Sequence, residues 1–174
     1  MLGILSIVIF LPVIIAIPTF LIGKRKPSLA KVLGVGASAV VFALTMVIVT
    51  LFQYGSAGFQ FTETASWAST FGMNYIVGVD GISLPLLIIA VFLCLIAAMG
   101  SRDMISAREP EYYALFLIFE TGIIGVFTSL NLILFYVFWE VVLIPMFFFI
   151  GIWGGPRRKY ASLKFLIFTY AGSA

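Results

Sequence analysis

The stretch YYALFLIFETGIIGVFTSLNLILFYVFWEVVLIPMFFFIGIW, residues 112–153, decides the architecture. It runs for 42 residues and carries two charges, Glu120 and Glu140. At about 1.5 Å per residue, one helix of that length would be twice the roughly 30 Å hydrocarbon thickness of a bilayer. The segment must fold back on itself, and Thr128, Ser129 and Asn131 form the turn-like cluster at its middle. The reading is a span over 112–130, a tight reversal, and a second span over 132–153.

Three other apolar stretches, 2–23, 32–54 and 82–100, match the ~20 residues that a crossing requires. A sixth opens near Tyr160 and stops at residue 174, short of a full crossing, so an amino-terminal fragment of a longer chain is expected. Composition agrees: 63% of the 174 residues are hydrophobic and 10% charged, with a mean hydropathy of +1.20. An average soluble domain carries roughly 25% charged residues. Eighteen Phe, seven Tyr and three Trp could not be hidden inside a globule of this size, so lipid is the solvent for most of the chain. The predicted fold class is all-α: a polytopic transmembrane protein with five full spans and the start of a sixth, forming one membrane domain over 1–174. With no His and a single cysteine, Cys94, the sequence offers no ligand set for haem, an iron–sulfur cluster or a His/Cys zinc site.

The basic residues test this topology, because Lys and Arg favour cytoplasmic loops. Lys24, Arg25, Lys26 and Lys31 follow the first span, Arg102 and Arg108 the third, and Arg157, Arg158, Lys159 and Lys164 surround the end of the fifth. All ten positive charges fall on one face, which predicts an amino terminus outside. A cleaved leader is the competing reading of the start, but the basic cluster follows the apolar run instead of preceding it. The opposite face carries the segment 55–81 with Glu63 and Asp80, where Phe59 and Phe61 alternate with Gln60 and Thr62 and hint at a strand.

Glu120 and Glu140 stand out chemically, because ionisable groups at bilayer depth are costly and mark function. Counted from the reversal at Asn131, they lie about 16 and 13 Å along adjacent antiparallel helices, hence at similar depth. Burial disfavours the charged carboxylate and a nearby Lys or Arg favours it, so such a site loads or releases a proton as a cation approaches or withdraws. The alternative is a protonated Glu acting as packing glue between helices. Pro145 leaves the carbonyl of Val141 without its helical partner and predicts a kink, with a hydrated pocket beside Glu140. Lys164, one turn into the sixth helix, is read either as a relay cation or as a side chain snorkelling to the headgroups. Asp80 and Ser83 precede an apolar run and suit a helix cap. Ala30, Gly34 and Ser38 recur every four residues, the spacing of close helix packing, so the GxGxxA string at 34–39 is not a dinucleotide fingerprint. Cys94 reads as core filler. Trp67, Trp153, Tyr112, Tyr113 and Tyr160 read as an interfacial aromatic belt, with Trp139 deeper.

The string FWEVVLIPM at 138–146, continued by FIGIWGG at 149–155, resembles the fifth-helix signature of the M-type antiporter-like subunit of respiratory complex I, called chain 4 in mitochondria. Two further pieces are similar to the same family: VDGISL at 79–84, and Lys159, Tyr160, Ala161, Lys164, Phe165 and Thr169 in the sixth helix. The resemblance implies a proton-translocating module in which Glu140 is the essential fifth-helix carboxylate, Lys164 a sixth-helix relay, and a lysine on a seventh helix the partner of Glu140. Glu120 matches no family motif, and its candidacy rests on depth. The resemblance also implies no cofactor in this chain, with flavin, iron–sulfur clusters and quinone on partner subunits of a membrane arm. No nucleic acid is involved, and an electron donor of NAD(P)H, ferredoxin or reduced-deazaflavin type is expected. A bacterial or archaeal cell membrane is the expected location, or an organelle inner membrane. A multisubunit cation/proton antiporter, an energy-converting hydrogenase subunit and a purely structural anchor are the rival readings.

Overall fold

The computed structural model describes residues 3–56, 58–68 and 73–173. Six helices and one hairpin follow in order: α1 (Ile4–Gly23), α2 (Pro27–Leu51), β1 (Gln60–Ala68), β2 (Met73–Val79), α3 (Ser83–Met104), α4 (Glu109–Thr128), α5 (Leu132–Trp153) and α6 (Arg158–Ser173). The first five helices are each long and apolar enough to cross a membrane. Residues 2 and 174, at the predicted edges of the first and sixth spans, lie outside the described residues.

Three helices outrun the expected spans at their charged ends. Expected over 32–54, α2 begins at Pro27, which takes the first-turn position where its missing N–H costs nothing. Lys31 therefore lies inside the helix. Its ammonium reaches Glu109 Oε1 at 3.1 Å and donates to the Arg102 carbonyl at 2.8 Å. Likewise α3 continues through Arg102 and Asp103, and α4 starts at Glu109 with Glu109 and Glu111 in its first turn. Acidic groups in a first turn complement the positive end of the helix dipole, so charge there extends a helix instead of stopping it.

The reversal predicted at 128–131 is real: α4 ends at Thr128 and α5 starts at Leu132. Asn131 caps α5, its Oδ1 accepting from Ile133 N at 2.9 Å and Leu134 N at 3.2 Å. An all-α description needs one amendment. β1 and β2 pair antiparallel, with Glu63 opposite Val77 and Thr64 opposite Ile76. The register is irregular between Gln60 and Glu63, where Phe61 takes a left-handed φ of 53°. The Phe59/Phe61 alternation marked this strand, but nothing in the sequence showed what it would touch. β2 also pairs with the α4–α5 reversal through a bridge between Val77 and Ser129, and Leu130 N donates to the Ile76 carbonyl at 2.9 Å.

β1 closes the start of α1. The Glu63 carboxylate accepts from the backbone N–H groups of Gly3 at 3.0 Å, Leu5 at 2.8 Å and Ser6 at 3.2 Å, and from the Ser6 hydroxyl. These are amides that a helix start leaves without internal partners. Tyr75 from β2 completes the cluster, its hydroxyl 2.7 Å from Ser6 Oγ, and burial pushes the Tyr75 phenol up from its ordinary value.

Helix α4 is the hub, packed against α1, α2, α3 and α5. It is the more enclosed of the two carboxylate-bearing helices, with 56% of its apolar stretch buried against 22% for α5. Two glycines on α4 make the α4–α5 contact possible. A Cβ at Gly122 would lie 2.7 Å from Val142 Cγ2, and one at Gly125 would overlap the Phe138 ring. On α2, Gly34 rests in the same way against the ring of Tyr113, and Ala30 and Ser38 on the same stripe are buried. The four-residue spacing is thus a packing stripe. Gly125→Ala is expected to force Phe138 out of place and destabilise the protein by about 1 to 3 kcal/mol. Unfolding in detergent micelles checks this; unchanged stability would contradict the packing described.

Candidate functional site

The two carboxylates lie almost level on α4 and α5. Gly122, two residues after Glu120, packs between Phe138 and Val142, which bracket Glu140. Glu120 and Glu140 are thereby offset by about 3 Å along the helices. Their side chains leave the α4–α5 pair in different directions. Glu120 is 0% exposed and turns to α2, where Ser38 Oγ donates to Glu120 Oε2 at 2.7 Å. Oε1 is buried and has no hydrogen-bond partner among the described residues. Glu140 is half-buried and turns to α6, where the Tyr170 side chain hydrogen-bonds to it.

The seam between α5 and α6 is aromatic. Trp139 stacks on Phe135 with ring centroids 6.0 Å apart, and a groove of about 460 Å³ between α5 and α6 is lined by Tyr136, Trp139, Phe168 and Thr169. Pro145 is buried one turn beyond Glu140, inside a helix that runs continuously from Leu132 to Trp153. Lys164 lies on the exposed face of α6. Its ammonium is 5.8 Å from the Tyr160 ring centroid and 5.6 Å from that of Phe168, within cation–π range.

Asp80 builds the start of α3. Its Oδ1 accepts from Ser83 N at 2.7 Å and Ile82 N at 3.0 Å, while Ser83 Oγ accepts from Asp80 N at 2.9 Å. This is a reciprocal capping box. Cys94 is buried on α3 among Ala98 and Phe116, a core position. Tyr112 and Trp153 meet edge-on at 5.2 Å where α4 begins and α5 ends, and Trp153 Nε1 donates to the Ala107 carbonyl at 2.9 Å. The side chain of Trp67 lies outside the described residues. Among the described residues no three His, Cys, Asp or Glu side chains gather where a metal could be held.

Three participants escaped the sequence reading: Ser38, taken as a small packing residue; Glu63, counted as an outer charge; and Tyr170. Ser38 carried a signal, since a hydroxyl in an apolar helix needs an acceptor. Glu63 and Tyr170 carried none, because their partners lie 57 and 30 positions away along the chain, at Ser6 and Glu140.

Residues 4–135 match the sequence family described as NADH-ubiquinone oxidoreductase chain 4, amino terminus, and residues 129–174 match NADH:quinone oxidoreductase/Mrp antiporter, TM. Over 99% of its length the chain is 40% identical to NADH-quinone oxidoreductase subunit M of Rickettsia conorii, covering 36% of that protein. It is 36% identical to F(420)H(2) dehydrogenase subunit M of Methanosarcina mazei, again over 99% of this chain and 34% of the relative. The chain thus spans about a third of the length of these curated relatives. Among solved structures, respiratory complex I from Thermus thermophilus with bound NADH contains a chain that superposes with a TM-score of 0.80 over 97% of this chain and 33% of its own, at 24% identity. The Mrp complex from Dietzia sp. DQ12-45-1b gives a TM-score of 0.80 at 18% identity, over 97% of this chain and 18% of that one. At these identities the two likenesses speak for a shared fold.

Ser83 N–H, the main contact, together with the Ser83 hydroxyl, holds the Asp80 carboxyl below the usual carboxylate range. A lowered value means that the cap is present above the ordinary carboxylate range and is lost as pH falls through the lowered one. The protection of the Ile82 and Ser83 amides, taken relative to their intrinsic exchange rate at each pH, is expected to fall as pH drops through the lowered value. Asp80→Ala is expected to cost about 1 kcal/mol and abolish that dependence. A protection relative to the intrinsic rate that ignores pH in the unsubstituted protein would contradict the cap.

Proposed function

The chain belongs to the family of NADH-ubiquinone oxidoreductase chain 4, and from that premise we propose that it is the amino-terminal part of a proton-translocating, antiporter-like membrane subunit of an NADH-quinone oxidoreductase-type complex. The observation that carries this reading is a pair of carboxylates nearly level within five apolar spans, one fully enclosed and the other turned toward a neighbouring helix. Electron transfer is assigned to partner subunits carrying flavin, iron–sulfur clusters and quinone. This chain moves the proton.

In this mechanism Glu140 is the protonatable switch. It faces α6, and a cation approaching it favours the charged form while withdrawal favours the neutral one. Pro145 frees the carbonyl of Val141, one residue beyond Glu140, a place for polar contact in an apolar helix. Lys164 is the relay cation, moving between its aromatic seat on Tyr160 and Phe168 and the inner mouth of the path. Glu120 is a second proton-transfer group at the same level. Asp80 supports the site from outside by fixing the start of α3.

An amino terminus outside belongs to the same proposal. Lys31 bonded to Glu109 and to the Arg102 carbonyl, and Trp153 bonded to the Ala107 carbonyl, bring the basic ends of α1–α2, α3–α4 and α5 to one side. The hairpin, with Glu63 and Asp80, lies at the other. The donor to the complex is NAD(P)H, ferredoxin or a reduced deazaflavin. The membrane is that of a bacterial or archaeal cell, or an organelle inner membrane.

Glu140→Gln keeps the shape of the side chain and removes its ability to ionise. In the intact complex in sealed vesicles, donor-driven proton uptake is expected to fall at least tenfold while assembly is preserved. Normal pumping by the assembled variant would overturn the reading in favour of a structural anchor. A flux that requires sodium would overturn it in favour of a cation/proton antiporter.

A further inference from the structure

Four buried hydroxyls of the spans follow one habit, from which Ser38 departs, as does Ser6 where it donates to Glu63 at the start of α1. Thr19, Thr45, Ser101 and Thr128 each donate to the backbone carbonyl four residues back, at 2.7, 2.9, 2.7 and 2.9 Å. That bond is the default for a hydroxyl with no water in reach. Ser38, 0% exposed, would find its default acceptor at Gly34, yet it donates across the helix interface to Glu120 Oε2. It thereby has two acceptors to choose between. The second observation is Glu120 Oε1, enclosed and without a hydrogen-bond partner among the described residues. A buried carboxyl oxygen left in that state is expensive whichever protonation state the group adopts. Among the described residues nothing donates to Oε1, and the Cys94 thiol of α3 is a weak donor.

We propose that Ser38 is the positioning residue of a second proton-exchanging site, in which Glu120 hands its proton to, and recovers it from, a single internal water molecule held at Oε1. When Glu120 is ionised, the Ser38 hydroxyl donates to Oε2 and the water donates to Oε1. When a proton arrives from the water on Oε1, Glu120 becomes neutral, and the Ser38 hydroxyl stays on Oε2, now the carbonyl oxygen, by a weaker bond that no longer has a charged acceptor. No bond other than O–H is made or broken: the water gives one proton to Oε1 and takes one in its place from the next protonatable group of the translocation path. This inference deepens the reading of Glu120 as a proton-transfer group and rests on it.

Infrared difference spectroscopy on the intact complex tests it. A carboxyl C=O band that disappears in Glu120→Gln, and a water O–H band that shifts in oxygen-18 water and disappears in the same variant, identify the site. Ser38→Ala is expected to raise the frequency of the carboxyl band and slow its hydrogen–deuterium exchange roughly tenfold, the effect of one charge-assisted hydrogen bond. Ser38→Thr, which keeps the hydroxyl, is expected to restore both. A carboxyl band unmoved by Ser38→Ala, or the lack of an oxygen-18-sensitive band that depends on Glu120, would overturn the proposal. These signatures do not depend on pumping. Normal pumping in Glu140→Gln would sink the functional reading and leave this site standing, whereas unaltered spectra would sink the site alone.

Discussion

A bilayer interior offers no hydrogen bonds, and that constraint governs how this chain treats each polar atom it carries between its ends. Most hydroxyls are silenced by turning back on their own helices. Glu120 is the exception, because a carboxyl has two oxygens, and Oε1 has no hydrogen-bond partner among the described residues. The chain answers with a serine from α2 for one oxygen, and the close approach that makes this reach possible comes from the small-residue stripe of Ala30, Gly34 and Ser38. Packing and chemistry are thus the same feature: what lets α2 lie close to α4 also puts a hydroxyl against the acid.

The same logic operates at the membrane edge with ordinary tools. The start of α1 is capped by Glu63 from a strand far along the chain, the start of α3 by Asp80 within the local turn, and the start of α5 by Asn131. The hairpin that delivers Glu63 also pairs with the α4–α5 reversal through Val77 and Ser129. It therefore ties the first helix to the two helices that hold the carboxylates, and fixes their relative height from one side. At the other side Lys31 ties α2 to α4 and α3 through Glu109 and the Arg102 carbonyl, and Trp153 ties the end of α5 to the Ala107 carbonyl. The levels of Glu120 and Glu140 are held between these two ties.

Spans were legible because length and apolarity are set by bilayer thickness, and the reversal at 128–131 because a 42-residue apolar run has no other way to fit. The fifth helix was read to its bounds, 132–153. Helix ends next to charges were read short, at Pro27, Arg102 and Glu109, since charge was taken as a stop where dipole and ion pairing make it a continuation. At the candidate site the acids were legible as charges out of place. Their partners were not: a hydroxyl in an apolar helix shows that Ser38 needs an acceptor but not which one, and Tyr170 owes its role to an interhelical contact that no local pattern encodes. The resemblance in FWEVVLIPM named the importance of Glu140 but had nothing to say of Glu120, whose surroundings became visible only with α2 in position.

The account stands on Glu140 changing its charge as the complex works. Site-resolved carbon-13 NMR of the Glu140 carboxyl carbon, in the assembled complex at rest and under donor-driven turnover, reads that charge directly. The account predicts two carboxyl shifts, protonated and ionised, whose populations change when turnover begins. A single shift, unaltered between rest and turnover, would contradict it.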